Sequence, residues 1–230
     1  MNAVAGGGSL LSFPALLAAG YPPVTANVTN SLAVLPGYVG GSIAYREELR
    51  GQRGRAIPLG ITAALGGAAG AIVLLTTPED AFDAVVPFLI LAAALLLLAQ
   101  PWIERRLGDR AEGESAPVLH GAQFLAAVYG GYFGAGLGVI LLAFHGLLID
   151  DHLQRLNALK VLLSLVISVA AAVVFVIAGP IAWGAAALVA GSAFVGGHVG
   201  VSAARRLSPG ALRLGVAAVG TVAAAVLFAT

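Results

Sequence analysis

Three observations predict an all-α integral membrane protein built from two inverted-topology repeats, each a glycine-broken segment plus three transmembrane helices. Hydrophobic residues make up 59% of the 230-residue chain and charged residues only 10%, where a soluble domain carries about 25%. A gapless shift of 130 residues lays the second half on the first. Arginine-rich loops then exchange places between the halves, so that corresponding loops face opposite sides of a bilayer.

Taken in order, apolar runs near the length of ~20 residues that spans about 30 Å of hydrocarbon fall at residues 3–19, 26–45, 56–75, 84–100, 118–149, 156–178, 181–203 and 211–229. These eight segments are separated by helix breakers: Pro22 and Pro23, Gly51 and Gly54, Thr77 and Pro78, Gly179 and Pro180. One long polar stretch interrupts them and serves as the natural linker. The expected organisation is a first transmembrane repeat over residues 1–101, a polar linker over 102–117 and a second repeat over 118–230. Met1 and Asn2 provide no positive n-region, so no cleaved signal peptide is expected.

The shift of 130 residues pairs Gly6 with Gly136, Gly8 with Gly138, Asn27 with Asn157, and Gly66, Gly67 and Gly70 with Gly196, Gly197 and Gly200. In the first copy Arg46, Arg50, Arg53 and Arg55 follow the second segment, where the second copy has only Gly179 and Pro180. One segment later the first copy offers Glu79, Asp80 and Asp83, and the second offers Arg205, Arg206 and Arg213. Because Lys and Arg of short loops stay on the cytoplasmic side, the two copies are inverted.

Inversion needs an odd number of crossings per copy, and four segments were found in each. A glycine-broken segment that turns back repairs the count. The run at 118–149 is too long for one upright helix and holds Gly134, Gly136 and Gly138 near its centre. It is expected to descend, turn, and return to the side it left. Irregular backbone at membrane depth is tolerated only inside protein or along a polar cavity, which makes the turn a candidate site.

At this point the residues resemble a known family. Gly6-Gly-Gly-Ser-Leu-Leu-Ser-Phe-Pro14, Tyr21-Pro-Pro-Val-Thr-Ala-Asn27 and Thr29-Asn-Ser-Leu32 are similar to the first half of the sulfite exporter TauE/SafE family. Gly130-Gly-Tyr-Phe-Gly-Ala-Gly-Leu-Gly138 and Asn157-Ala-Leu-Lys160 resemble its companion pattern in the second half. The resemblance covers essentially the whole chain, although the chain has fewer apolar residues before its triple glycine than the family pattern. It implies a multi-pass protein of the bacterial inner membrane that exports sulfite or another small organosulfur anion.

The chemistry of the residues agrees with an anion. Glycine turns expose backbone N–H groups, and the helix that follows adds the positive end of its dipole. Close helix packing through small residues is the competing reading of the same glycines. Asn157, Lys160, Ser164 and Ser168 share one helical face, and Asn27, Asn30, Ser31, Tyr38 and Ser42 line the equivalent segment. Lys160 either faces the anion or extends to the interface. The residues expected to bind substrate are Gly6, Gly7, Gly8, Asn27, Thr29, Asn30, Ser31, Gly134, Gly136, Gly138, Asn157 and Lys160.

Other readings find less support. His145 and His198 lie in apolar segments, as a coupling proton would need or as neutral hydrogen-bonded histidines would. Asp150, Asp151, His152 and Arg155 read as a solvated cluster. Ser9 follows the triple glycine without a base placed for it, and no zinc-protease or paired-aspartate pattern occurs, so an enzyme is not expected. The chain has no cysteine and a net charge of +1, which gives no case for nucleic acid. No cofactor or metal is expected. The expected partners are a small anion, the lipid bilayer and a coupling proton or ion, with oligomeric state open. The expected activity is alternating-access export of sulfite or an organosulfonate, the alternative being an anion channel or a structural membrane protein.

Overall fold

A computed structural model describes residues 8–106, 116–192 and 209–229. Among these residues every regular element is an α-helix: α1 (Ser9–Ala18), α2 (Pro23–Ala33), α3 (Leu35–Ala44), α4 (Arg53–Thr76), α5 (Glu79–Arg106), α6 (Ala116–Tyr132), α7 (Leu137–Leu148), α8 (Leu153–Ala178), α9 (Trp183–Ser192) and α10 (Pro209–Ala229). Gly196, Gly197, His198, Gly200, Arg205 and Arg206 lie outside the described residues, as do Gly6 and Gly7.

The helices Arg53–Thr76, Glu79–Arg105 and Leu153–Ala178 are long and apolar enough to cross a membrane. Their outer faces leave Ile57, Ile61, Leu65 and Ile72, then Phe88 and Leu95, then Val169, Val173 and Val176 exposed. Spacings of three, four and seven put each set on one side of its helix. Stripes of this kind suit lipid and would be a liability in water.

Two of the apolar segments are each divided into two helices. The segment at 118–149 breaks where its glycines fall, giving α6 and α7 with a turn between them. The segment at 26–45 was read as one crossing, and it breaks at Val34. Pro36 in the first turn of α3 cannot donate a backbone hydrogen bond; the Gly37 N–H instead reaches Val34 O at 3.0 Å, which tightens the joint. Two helix starts keep the 130-residue spacing found in the sequence: Pro23 against Leu153, and Arg53 against Trp183.

Helices α4, α6 and α8 begin at one end of the molecule, here termed the arginine end, and run parallel. Thr62 meets His120 at 2.7 Å, while Gly66 lies against Phe124 and Ala127, and Gly70 against Val128 and Tyr132. Contacts thus advance together along α4 and α6. Gln52 donates to Arg155 O at 3.0 Å, and Gly67 lies on Ile167, so α8 advances with α4 as well. α5 and α10 are antiparallel, with Phe88 against Phe228 at a centroid distance of 4.9 Å and Gly220 beside Ile90 and Ala94.

The buried side chains form two cores. One unites α6, α7 and α8 with the first half of α4, through Leu59, Ala126, Leu141, Leu159 and Ile167. The other unites α1, α2, α5 and α10 with the far ends of α4 and α8, through Phe13, Val28, Leu74, Ile90, Phe175 and Val216. Phe133 and Ala135, from the turn between α6 and α7, belong to the second core although both of their helices belong to the first.

The arginine end is fastened by Asp151, which was read as part of a solvated cluster. Its carboxylate accepts from Arg155 Nε at 2.8 Å, from the His152 N–H at 2.8 Å and from Arg55 Nη1 at 3.2 Å. It therefore joins the end of α7 to the starts of α4 and α8. Burial pushes the Asp151 carboxyl up, and the hydrogen bonds from Arg155, His152 and Arg55 outweigh it and hold the group below its ordinary value. A carboxylate depressed on folding contributes stability at pH values above its unfolded pKa of about 4, and that contribution disappears as pH falls through the lower folded value. Asp151→Asn should therefore lower the melting temperature at pH 7 and converge on wild type only as pH falls through the depressed folded value, as read by thermal melts across pH.

Candidate functional site

The site is built around the turn Phe133–Gly136. Helix α6 has 17 residues and α7 has 12, about 25 and 18 Å of rise, and both lie between the arginine end and the middle of the bundle. His120, near the start of α6, bonds Thr62, and Asp151, just past α7, bonds Arg55. The turn itself reaches Ala93, and Gly130 and Gly131 at the end of α6 reach Ile167 and Gly67; these are central residues of α5, α8 and α4. The two arms therefore form a hairpin that stops half-way along the long helices.

Gly134 and Gly136 have φ of 76° and 75°, the left-handed region where a side chain costs about 1–2 kcal/mol. A Cβ at Gly136 would also stand 3.4 Å from Ala93 Cα, and one at Gly134 would stand 2.9 Å from Gly130 O. Tyr129 Oη donates to Ala135 O across the turn. Gly136→Ala should thus lower stability by about 1–2 kcal/mol from the backbone alone, read as a drop in melting temperature, and should reduce any activity of the turn more than it reduces stability.

The turn also leaves backbone donors unused. Leu137 N bonds Gly134 O, and Val139 N and Ile140 N bond Gly136 O, but among the described residues no hydrogen bond is donated by the amides of Ala135, Gly136 or Gly138. All three residues are buried. They stand at the positive, N-terminal end of α7, where anions are favoured.

Side chains of the first half come to this turn. Asn27 is 1% exposed and donates through Nδ2 to Tyr132 O at 2.7 Å, while its Oδ1 is buried without a partner. Asn30 Oδ1 accepts from Ser12 Oγ, which also lies 3.0 Å from Gly8 O, an alternative acceptor for its single proton. Phe13 meets Phe133 edge-on at 5.4 Å. The start of α1, the middle of α2 and the turn of the second half are thus neighbours.

The remaining expected residues have other positions. Thr29 Oγ1 accepts from Ala182 N at 3.1 Å, holding the backbone that leads into α9. Ser31 Oγ donates to Asn27 O at 2.9 Å within its own helix. Lys160 is 4% exposed and donates to Asn157 Oδ1 at 2.9 Å. That pair precedes Ile167, the residue of α8 that meets Gly130, by seven residues or more, about two to three helical turns or 10 Å and more toward the arginine end.

Family comparison decides the class. A family model described as sulfite exporter TauE/SafE matches residues 1–227. The chain belongs to the sulfite exporter TauE/SafE family. Relatives of this TauE/SafE chain carry general names. A probable membrane transporter protein, ORF9, of Sinorhizobium sp. is 28% identical over 87% of this chain and 76% of its own. A probable membrane transporter protein of Haemophilus influenzae is 28% identical over 87% and 78%. The probable membrane transporter protein YfcA of Escherichia coli K12 is 25% identical over 87% and 74%. No solved structure matches. Family and apolar helices together make this a membrane protein of a transporter family.

Three features of this TauE/SafE chain were not singled out from the sequence. Ser12 was quoted only within a motif, yet it links Gly8 to Asn30. Tyr129 closes the turn. Gln123, 0% exposed, meets His145 Nε2 at 3.1 Å between the two arms of the hairpin. A glutamine in an apolar run, one helix away from an apolar-run histidine, was the available signal for the last.

Proposed function

We propose that this protein is a secondary transporter that exports a small anion, sulfite or an organosulfonate, across the bacterial inner membrane by alternating access. The observation that carries the reading is the α6–α7 turn: buried, half-way along the bundle, with unpaired amides at a helix N-terminus. Backbone N–H groups of Ala135, Gly136 and Gly138 would hold the oxyanion, with Asn27, Asn30 and Ser12 completing its shell and Gly6, Gly7 and Gly8 contributing from the other half. Lys160, held by Asn157, would offset the anion's charge on its way to or from the arginine end. Thr29 and Ser31 act through packing and helix geometry.

An inverted repeat would support the rocking mechanism. Two helix starts share the 130-residue offset, α4 begins at the arginine end, and its counterpart α9 begins where α8 has reached the other end. In this reading the α6–α7 hairpin is re-entrant and the arginine end is cytoplasmic. The family's description names sulfite, and the relatives named above are bacterial. A coupling proton or ion completes the cycle.

Purified protein in proteoliposomes, loaded with radiolabelled sulfite and given a proton or ion gradient, tests this directly. Saturable, gradient-dependent flux that taurine or sulfoacetate competes for is expected. Ohmic anion current without saturation would replace the carrier with a channel.

A further inference from the structure

The two arms of the α6–α7 hairpin enclose a polar pair for which anion binding at the turn has no use. His145 of α7 and Gln123 of α6 are both 0% exposed, and His145 Nε2 meets Gln123 Oε1 at 3.1 Å. An amide oxygen only accepts, so Nε2 carries the ring's proton and Nδ1 is the bare, basic nitrogen. Nδ1 is buried without a hydrogen-bond partner, as are Gln123 Nε2 and Ser164 Oγ. Each buried orphan costs about 1–3 kcal/mol, a cost that apolar side chains in the same places would avoid.

This pair stands at the level of Lys160. Gly130 of α6 lies on Leu137 of α7 and on Ile167 of α8, which fixes one level common to the three helices. Seven residues nearer the arginine end, α6 carries Gln123 and α8 carries Lys160; eight residues along α7 in the same direction is His145. Seven residues are almost two turns and about 10 Å of rise, so Gln123 and Lys160 point into the space between the helices as Gly130 and Ile167 do. Ser164 follows Lys160 by one turn on the same face.

The charges that act on His145 are both positive, Lys160 of α8 and Arg55 of α4. Glu104 of α5 acts on Lys160, Asp151 beyond the end of α7 is held by Arg55 and Arg155, and α6 brings His120 and two tyrosines. Among the described residues no carboxylate bonds the ring, so a positive charge on it needs a counter-charge from outside the protein. We infer that His145 is the proton-binding site of the transport cycle, taking a proton on Nδ1 when an anion stands at Lys160 and releasing it when the anion leaves. The step is a proton transfer alone: the Nδ1 lone pair takes H⁺ from water, the neutral imidazole becomes imidazolium, and the anion supplies the compensating charge. Protons enter from the arginine end, where a cavity of about 420 Å³ reaches Leu59 and Leu119, and Leu119 precedes Gln123 by one turn. Each ligand strengthens the binding of the other by the same factor, so anion and proton travel together.

His145 has this role only if an anion passes Lys160, as proposed above, and one experiment separates the two. Calorimetry of the full-length protein in nanodiscs, in buffers of differing ionisation enthalpy, counts the protons taken up per anion bound. Sulfoacetate, which has no group titrating near neutral pH, is the probe, and sulfite is run beside it with its own protonation subtracted. Wild type should take up close to one proton per anion, and over the pH range of that uptake its affinity should fall about ten-fold for each unit rise in pH. His145→Gln should bind the anion without proton uptake and with an affinity that pH does not change. In wild type, nitrogen NMR of isotope-labelled histidines should show one ring becoming imidazolium when the anion is added, a measurement that needs no variant to fold. Anion binding with no proton taken up, or with equal uptake in wild type and His145→Gln, would overturn the role of His145 and leave the anion site standing. Absence of anion binding in wild type would overturn both.

Discussion

Lys160→Ala should cut gradient-driven sulfite flux by roughly ten-fold or more, the equivalent of losing a charged hydrogen bond of about 1.5–3 kcal/mol, while the protein remains folded in the membrane. Lys160 is 4% exposed, and its Nζ donates to Asn157 Oδ1 at 2.9 Å. An ammonium group has three donors, so one neutral partner leaves it underused. Placing a lysine within an apolar helix costs about 2.5–3.5 kcal/mol, and its bond to Asn157 does little more than offset that. Removing the charge should therefore leave the melting temperature unchanged or raise it. A variant that is as stable as wild type and inactive is the signature of a charge kept for substrate. Lys160→Met, which keeps the length of the side chain, should behave alike. Wild-type flux in either variant would remove Lys160 from the transport path.

The extent to which the site could be read from sequence depended on whether a residue's role was local. Gly134, Gly136 and the break they cause were legible because glycine weakens an apolar helix, and a left-handed turn is the reason to accept that cost. The joint at Val34 was hidden inside an apolar run whose only marker was Pro36, a residue that helices tolerate in a first turn. Asp151 was read as part of a solvated cluster, because its bond to Arg55, 96 residues away in the chain, is tertiary and leaves no periodic trace. Asn27 and Asn157 matched in the alignment of the halves. Their partners differ, Tyr132 O for one and Lys160 for the other, because a duplicated position specifies a helix face and not what packs on it. Gly66, Gly67 and Gly70 were noticed as marks of the repeat; in the structure Gly66 and Gly70 are the surface on which α6 lies, and Gly67 is the surface against Ile167 of α8.

That surface carries the second large prediction. Gly70→Ala should destabilise the protein by about 3 kcal/mol or more, at the upper end of over-packing effects, or about 6–12 °C in melting temperature for a chain of this size. A Cβ at Gly70 would overlap Val128 O and stand 2.9 Å from Tyr132 N; one at Gly66 would meet Phe124 O at 2.7 Å. These are backbone atoms, so no rotamer change relieves the clash, and α6 must move away from α4. Gly60→Ala, in the same helix with open space around it, is the control and should be neutral or slightly stabilising, since alanine is the better helix former. Equal melting temperatures for the two variants would mean that α4 and α6 do not touch as described. The same contact bears on mechanism. Gly131 lies against Gly67 O from the α6 side, so α4 and α6 are in close backbone contact at the level of the turn. In the alternating-access cycle proposed above, motion would fall between the core of α6, α7, α8 and the first half of α4 and the core of α1, α2, α5 and α10, into which the far ends of α4 and α8 also pack, and the Phe133–Gly136 turn, whose helices belong to the first core and whose Phe133 and Ala135 pack in the second, would lie on the boundary. Gly70→Ala should accordingly lose flux at temperatures where it is still fully folded, because displacing α6 carries the turn away from Asn27.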